Sequence, residues 1–295
     1  MTEARAERPA PRTVALTALA MIAFAANSLL CRLALAERAI DAASFGSVRL
    51  LAGAATLALV LKLRRGAAPP VRADWLAAAM LFAYVALFSF AYLTLSAGTG
   101  ALLLFGAVQL TMFGVGLSSG ERFRVGAWCG LALAVAGLVY LLSPGLAASP
   151  LAGATMMALA GVAWGVYSLR GRGVADPVAA TGANFLRAAP LALLLSLILA
   201  GRAHAGAAGI ALAVASGALT SGIGYVIWYA ALNGLSAMRV ATVQLSVSPI
   251  AAFGGVLFLS EAISARLALA SIAILGGVAI VLVSKSRHPA PKRSP

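Results

Sequence analysis

The sequence predicts an all-α integral membrane protein with ten transmembrane helices in two inverted five-helix repeats, both termini being cytoplasmic. Three observations lead there. The chain of 295 residues is 62% hydrophobic with a mean hydropathy of +0.98, far more apolar than a soluble core of that length requires. The apolarity comes in ten blocks of about 18 to 25 residues, each long enough to cross about 30 Å of hydrocarbon at 1.5 Å per residue. The second half of the chain also repeats the first at an offset near 140 residues.

A basic tail over residues 1–12 precedes the first span, 13–34. This span closes on Leu33-Ala34-Leu35-Ala36, an ending that imitates a signal-peptide cleavage site. Its length and its counterpart deep in the chain identify it as a retained helix. The second span, 44–62, carries Arg49, and the third, 74–95, carries Tyr84, Phe88 and Tyr92 at every fourth position, on one helical face. The fourth, 98–118, holds Gln109 and is followed by Glu121. The fifth, 125–142, is rich in small residues and contains Gly126, Gly130 and Gly137. Prolines and glycine in the connection 143–150 (Ser143-Pro144-Gly145 to Ser149-Pro150) stop one helix and start the next.

The sixth span, 151–169, restarts the pattern. Ala20, Ala23, Ser28 and Leu29 recur as Ala160, Ala163, Ser168 and Leu169, with Phe24 over Trp164 and Asn27 over Tyr167. The seventh, 178–200, carries Arg187, which overlies Arg49 at an offset of 138. The eighth, 207–232, places Tyr225, Trp228 and Tyr229 on one face. The ninth, 236–259, contains Gln244, Ser246, Ser248 and Pro249 and precedes Glu261. The tenth, 265–284, contains Gly277 and leads into a basic tail, 285–295. Gly114, Glu121 and Gly137 align with Gly254, Glu261 and Gly277 at the offset of 140. Because each unit has five spans, an odd number, the second copy enters the membrane from the opposite face, as in many secondary transporters. The expected units are therefore 13–142 and 151–284.

Lys and Arg outside the spans set the orientation. Fifteen lie on the side of the N-terminus, among them Arg12, Lys62, Arg64, Arg72, Arg124 and Arg170, against Arg38, Arg202 and Arg266 on the other. That bias makes the first side cytoplasmic and points to a bacterial-type inner (plasma) membrane, crossed many times. The net charge of +14 is thus explained by the lipid bilayer as partner, without nucleic acid. Cys31 and Cys129 have no second thiol at metal spacing and read as small packing residues. No cofactor or metal is implied, and nothing in the chain sets an oligomeric state.

The five-plus-five repeat, the Glu after the fourth and ninth spans and the small-residue endings around Gly137 and Gly277 resemble the EamA branch of the drug/metabolite transporter superfamily. Arg49, Arg187 and Pro249 extend the resemblance, whereas Gln109 stands where a second proline is expected. The resemblance implies a transporter of small metabolites, and within the superfamily the chain is similar to exporters of amino acids, including aromatic ones.

An Arg at the centre of a spanning helix costs about 2.5 to 3.5 kcal/mol. We read Arg49 and Arg187 as snorkelling to their nearer interfaces or bonding carbonyls at helix ends. The alternative is that one of them attracts a substrate carboxylate. Arg32 and Arg239 read as interfacial anchors. Intramembrane Asn27, Ser28, Asn184, Gln109, Gln244 and Ser248 face either another helix or a wet cavity. The aromatic faces read as helix packing, an interfacial belt or cavity walls. The substrate-binding set is Tyr84, Phe88, Gln109, Trp164, Ser168, Tyr225, Gln244 and Ser248, in a cavity suited to neutral or zwitterionic solutes with an apolar side chain.

The eight acidic residues all fall in tails, loops or span ends, so the expected mechanism is facilitated diffusion or exchange by alternating access, without strong ion coupling. The two histidines, His204 and His288, belong to no acid–base or metal cluster, which argues against an enzyme. The polar residues are too scattered for the rings of a channel. Glycines four apart, at 116 and 120, 126 and 130, and 161 and 165, predict close helix contacts. Ser221-Gly222-Ile223-Gly224 and Gly254-Gly255 are candidate bending points.

Overall fold

The computed structural model describes residues 10–64, 72–120, 123–143, 150–171, 173–232 and 243–285. Among these the chain is helical throughout, apart from short connections and one isolated antiparallel bridge between Ile40 and Ala205. The helices are α1 (Pro11–Ala36), α2 (Ala42–Leu63), α3 (Trp75–Ala91), α4 (Ala97–Ser118), α5 (Val125–Leu142), α6 (Leu151–Arg170), α7 (Pro177–Ile198), α8 (Ala207–Leu232), α9 (Val247–Leu259) and α10 (Ala265–Lys285). Eight are long and apolar enough to cross a membrane, and α3 and α9 are shorter apolar helices. Large apolar side chains such as Leu197, Ile198, Phe258 and Ile272 point outward and are exposed. In water this surface would aggregate; lipid covers it at no cost.

Local chemistry explains where the helices begin. Asp41, Asp74, Ser96 and Asp176 cap α2, α3, α4 and α7 by accepting hydrogen bonds from first-turn amides, which otherwise lack partners. Ser96 also accounts for the clearest departure from the expected spans. The third span ends at Ala91 instead of residue 95, because Tyr92–Leu95 form a turn and Ser96 starts the next helix. Gly120 lies at φ +82° with open space around it. Its role is to end α4, not to bring helices together as its spacing from Gly116 suggests.

The other glycine pairs do mark close contacts. A Cβ on Gly161 would meet the Leu104 carbonyl oxygen at 2.5 Å, and one on Gly165 would meet Thr111 at 2.9 Å, so α6 lies hard against α4. Gly130 and Gly277 face each other's backbone, and Gly137 meets Ile274, which seats α5 along α10. Gly254 is filled by Leu29 and Gly255 by the Glu261 carboxylate, so this pair serves packing and not bending. Cys31 is buried, in keeping with a packing role, whereas Cys129 is exposed.

Two helices are irregular. Within α8 the stretch Ser216–Ile223 is a π-helix, coinciding in part with the bending point expected at Ser221–Gly224. The span expected at 236–259 is interrupted: Val243 and Gln244 are helical, Leu245 and Ser246 turn, and α9 begins at Val247. Pro249 therefore sits in the first turn of α9, where its missing N–H removes no helical bond, and not in mid-span. Arg239, Glu121, Arg122, Arg172, residues 1–9, most of the connection 143–150 and all but the start of the tail 285–295 lie outside the described residues.

Polar contacts tie the helix ends together. At one end, Arg32 Nε lies 3.0 Å from Glu261 Oε1 while Glu261 Oε2 accepts from the Ala97 amide at 2.8 Å. Arg32 Nη1 also donates to the Tyr92 carbonyl. Arg32 thus joins three helix ends, more than an interfacial anchor would. The Asp41 carboxylate accepts from the His204 amide, and the Asp41 amide donates to the His204 carbonyl. Burial pushes the Asp41 carboxyl up, but the amides of Ser44, His204 and Ala43 outweigh it and hold the group below its usual value. At the opposite end Arg64 pairs with Asp176 at 3.3 Å and Arg170 with Asp74 at 2.7 Å. Each of the three ion pairs among the described residues joins a residue before 143 to one after 150.

Candidate functional site

Aromatic side chains meet near the middle of the helix bundle. On α3, Tyr84 and Phe88 are buried one turn apart with ring centroids at 5.3 Å. Trp164 of α6 lies 4.9 Å from the Tyr84 ring and stacks on Tyr225 of α8 at 5.6 Å and 17°. Phe24 of α1 packs its ring 5.8 Å from both Tyr225 and Trp228. Burial of Tyr84, Phe88, Tyr92, Tyr225 and Trp228 rules out the interfacial belt for these faces. A narrow cavity of about 20 Å³, room for about one water, remains between Phe24, Asn27, Ser28, Tyr84, Phe88, Leu104, Phe105 and Trp164.

The structure gathers some of the expected site residues and separates others. Tyr84, Phe88 and Trp164 line the cavity, and Tyr225 backs it through Trp164. Gln109, Ser168, Gln244 and Ser248 are not among its walls. Gln109 is buried with Nε2 unbonded, Ser248 is buried with Oγ unbonded, and Ser168 and Gln244 are half-buried. Asn27 and Ser28, expected to face another helix or a wet cavity, line the cavity, and Phe24, Leu104 and Phe105 join them from outside the expected binding set. The repeat offers a signal for two of them, since Phe24 and Asn27 align with Trp164 and Tyr167. Leu104 and Phe105 carry no chemical signature.

A chain of hydrogen bonds runs behind the wall. Ser216 of the π-helical stretch donates to Asn27 Oδ1 at 2.6 Å, while the Thr220 hydroxyl, 3.3 Å from the same oxygen, donates to the Ser216 carbonyl at 2.8 Å; the Ser216 bond fixes the amide so that Nδ2 faces the Tyr84 hydroxyl at 3.4 Å. The same hydroxyl accepts from Arg49 Nη2 at 3.1 Å, and Arg49 Nε donates to Ser221 Oγ at 3.2 Å. The guanidinium carbon stands 5.2 and 5.1 Å from the ring centres of Tyr84 and Phe88. Arg49 is 1% exposed, with Nη1 lacking any partner. It therefore does not snorkel; the expectation fails because α3 and α8 offer it two hydroxyls and two aromatic faces deep in the bundle. Arg187 is half-buried with its guanidinium 5.9 Å from the Trp75 ring, but its Nη1 is also buried without a hydrogen-bond partner, so neither snorkelling nor a carbonyl bond accounts for that atom.

With the geometry in view, comparisons place the chain among known proteins. Residues 151–283 match the EamA-like transporter family. An uncharacterised protein of Pseudomonas aeruginosa is 53% identical over 277 residues, spanning 94% of this chain and 96% of the relative. A solved crystal structure superposes with a TM-score of 0.62 at 22% identity, covering 90% of this chain and 98% of the other, a likeness of fold.

Proposed function

The chain belongs to the EamA-like transporter family, within the drug/metabolite transporter superfamily, and on that footing we propose that this multi-pass membrane protein is an amino-acid carrier. It moves its substrate across a bacterial inner membrane by facilitated diffusion or exchange, in the export direction, through alternating access. The observation that carries this reading is the cavity near mid-bundle, walled by Tyr84, Phe88, Phe24 and Trp164 with Asn27 and Ser28 as polar points. An apolar wall with few polar groups suits a zwitterion with a hydrophobic side chain.

The units 13–142 and 151–284 act in this proposal as inverted repeats that rock about the cavity, with both termini in the cytoplasm. Ion pairs that join the two units at both ends of the bundle support it, because each is an attachment that rocking would break and remake. Acidic groups among the described residues stand at helix ends or in connections, which supports transport without a bound driving proton or sodium ion. Tyr84, Phe88, Trp164 and Tyr225 hold the side chain of the solute. Gln109, Ser168, Gln244 and Ser248, away from the present cavity, join the path in another conformation.

Counterflow tests the proposal. Proteoliposomes loaded with unlabelled threonine, methionine or phenylalanine should take up the labelled form with no ion gradient, and Trp164→Ala should lower that uptake while leaving insertion intact. Uptake that appears only with an imposed proton gradient would replace facilitated exchange by ion coupling. Normal flux in Trp164→Ala would remove the cavity from the transport path.

A further inference from the structure

The Arg49 guanidinium is a buried positive charge with no carboxylate beside it. Bringing such a group out of water costs several kcal/mol, and the protein answers with two neutral hydroxyls and two ring faces. Nη1 is left without a partner. A charged group inside a membrane-spanning bundle commonly marks a substrate or ion pathway.

Tyr84 connects that charge to the cavity. Its oxygen accepts from Arg49 and from Asn27, so its own hydrogen is left to give, and the described residues provide no acceptor for it. Donation from the guanidinium polarises the hydroxyl and strengthens it as a donor. Tyr84 and Asn27 both line the cavity.

We propose that Arg49 and Tyr84 form a carboxylate anchor, in which the Tyr84 hydroxyl donates to the single negative charge of an apolar or aromatic carboxylic acid that the cavity admits when the helices around it part. Arg49 is the positioning residue, acting through Tyr84 and balancing the charge. One cation matches a monoanionic head group; a phosphate dianion would leave a charge unmatched. The anchor rests on the reading of the cavity as the substrate site and makes the carboxylate the selected group, whichever side chain the walls accept.

Binding to the purified full chain tests this separately from transport. Isothermal titration should compare 3-phenylpropionate and phenylalanine with their neutral-head amides, 3-phenylpropionamide and phenylalaninamide. The acids should bind at least about tenfold more tightly, the worth of one charge-assisted hydrogen bond. Tyr84→Phe and Arg49→Gln should bring that ratio below about threefold, and Arg49→Lys should restore most of it. A purely structural arginine would alter overall binding or yield but not the ratio of acid to amide. The anchor is overturned if the wild type binds no acid, if acids and amides bind alike, if Tyr84→Phe keeps the full ratio, or if Arg49→Lys is as indiscriminate as Arg49→Gln. The wild-type comparison stands even where a variant does not fold. Failed counterflow with the acid preference intact removes the amino-acid carrier and leaves the anchor; counterflow with no preference removes the anchor alone.

Discussion

Arg49 and Arg187 sit in the interior of α2 and α7, 138 residues apart in the sequence, and each has a buried Nη1 without a hydrogen-bond partner, yet the rest of their surroundings differ. Arg49 is sealed between Ser221, Tyr84 and Phe88, whereas Arg187 is half-buried and leans over Trp75 at the start of α3. The difference lies in the neighbours. α2 meets the π-helical stretch so closely that Gly217 abuts the Arg49 carbonyl and Gly222 abuts Thr56, which brings Ser221 within reach of the side chain. Alignment of two arginines at a fixed offset therefore says nothing of the partners each one meets.

Substitution at both positions gives the largest expected contrast. Arg49→Met should lower counterflow by at least about tenfold, by removing a charge-assisted contact. Its thermal midpoint should stay within a few degrees of wild type, because replacing a buried, unpaired ion by an apolar side chain of similar volume is often neutral for stability. Arg187→Met should leave flux within about twofold, as expected of a residue outside the cavity walls. Equal losses in the two variants would erase the distinction.

The helix seams sharpen the comparison next. Gly161→Ala should destabilise by about 1 to 3 kcal/mol, since the added methyl has only the Leu104 carbonyl and Ala107 to meet. Gly114→Ala, with nothing within 4 Å of the new methyl, should be neutral or slightly stabilising through helix propensity. Thermal unfolding followed by circular dichroism separates the two. At the helix ends, Glu261→Gln weakens an ion pair and an amide contact together and should lower the midpoint more than Arg64→Gln, whose side chain is 40% exposed. The Arg64 effect, about 0 to 1 kcal/mol, should vanish in high salt.

The smallest effect concerns Asp74. Burial raises its carboxyl, but the Arg170 hydrogen bond and the Ala77 amide prevail and hold it below the ordinary value of 3.8. A lowered folded-state value adds stability that is present above the unfolded value and lost as pH falls through the folded one. Midpoints measured from pH 6 downward should decline below about pH 4, and Asp74→Asn should flatten part of that decline.

Much of the fold was legible because a bilayer demands apolar runs of fixed length, and the ends of α4 to α8 lie close to the expected limits. The third and ninth spans were less so, since the Ser96 cap and the turn at Leu245–Ser246 interrupt runs that hydropathy reads as continuous. At the cavity, Tyr84, Phe88, Trp164 and Tyr225 were visible through their spacing and distance from span ends. Gln109 and Ser248 lie outside the cavity walls, and their distance from it was not legible because an isolated polar residue gives no phase for the helix that carries it. Arg49 was misread for a different reason: the price of a buried charge says that partners must exist, but not that they come from α3 and α8 instead of the membrane interface.

The π-helical stretch in α8 also sets an azimuth. An α-helix turns about 100° per residue, and a π-turn accommodates an additional residue in each loop of its backbone bonds. Ser216, Thr220 and Ser221, which serve the Asn27 and Arg49 side of the hydrogen-bonded chain, and Tyr225, which stacks on Trp164, are thereby held in one rotational relationship. Tightening the stretch to ordinary winding with all its residues kept would rotate everything beyond it, carrying Tyr225 off Trp164 while leaving every side chain chemically unchanged, whereas removing one residue at the same time would largely offset that rotation. The wide coil acts as an angular spacer, and the cavity wall depends on the count of residues within it as much as on their identity.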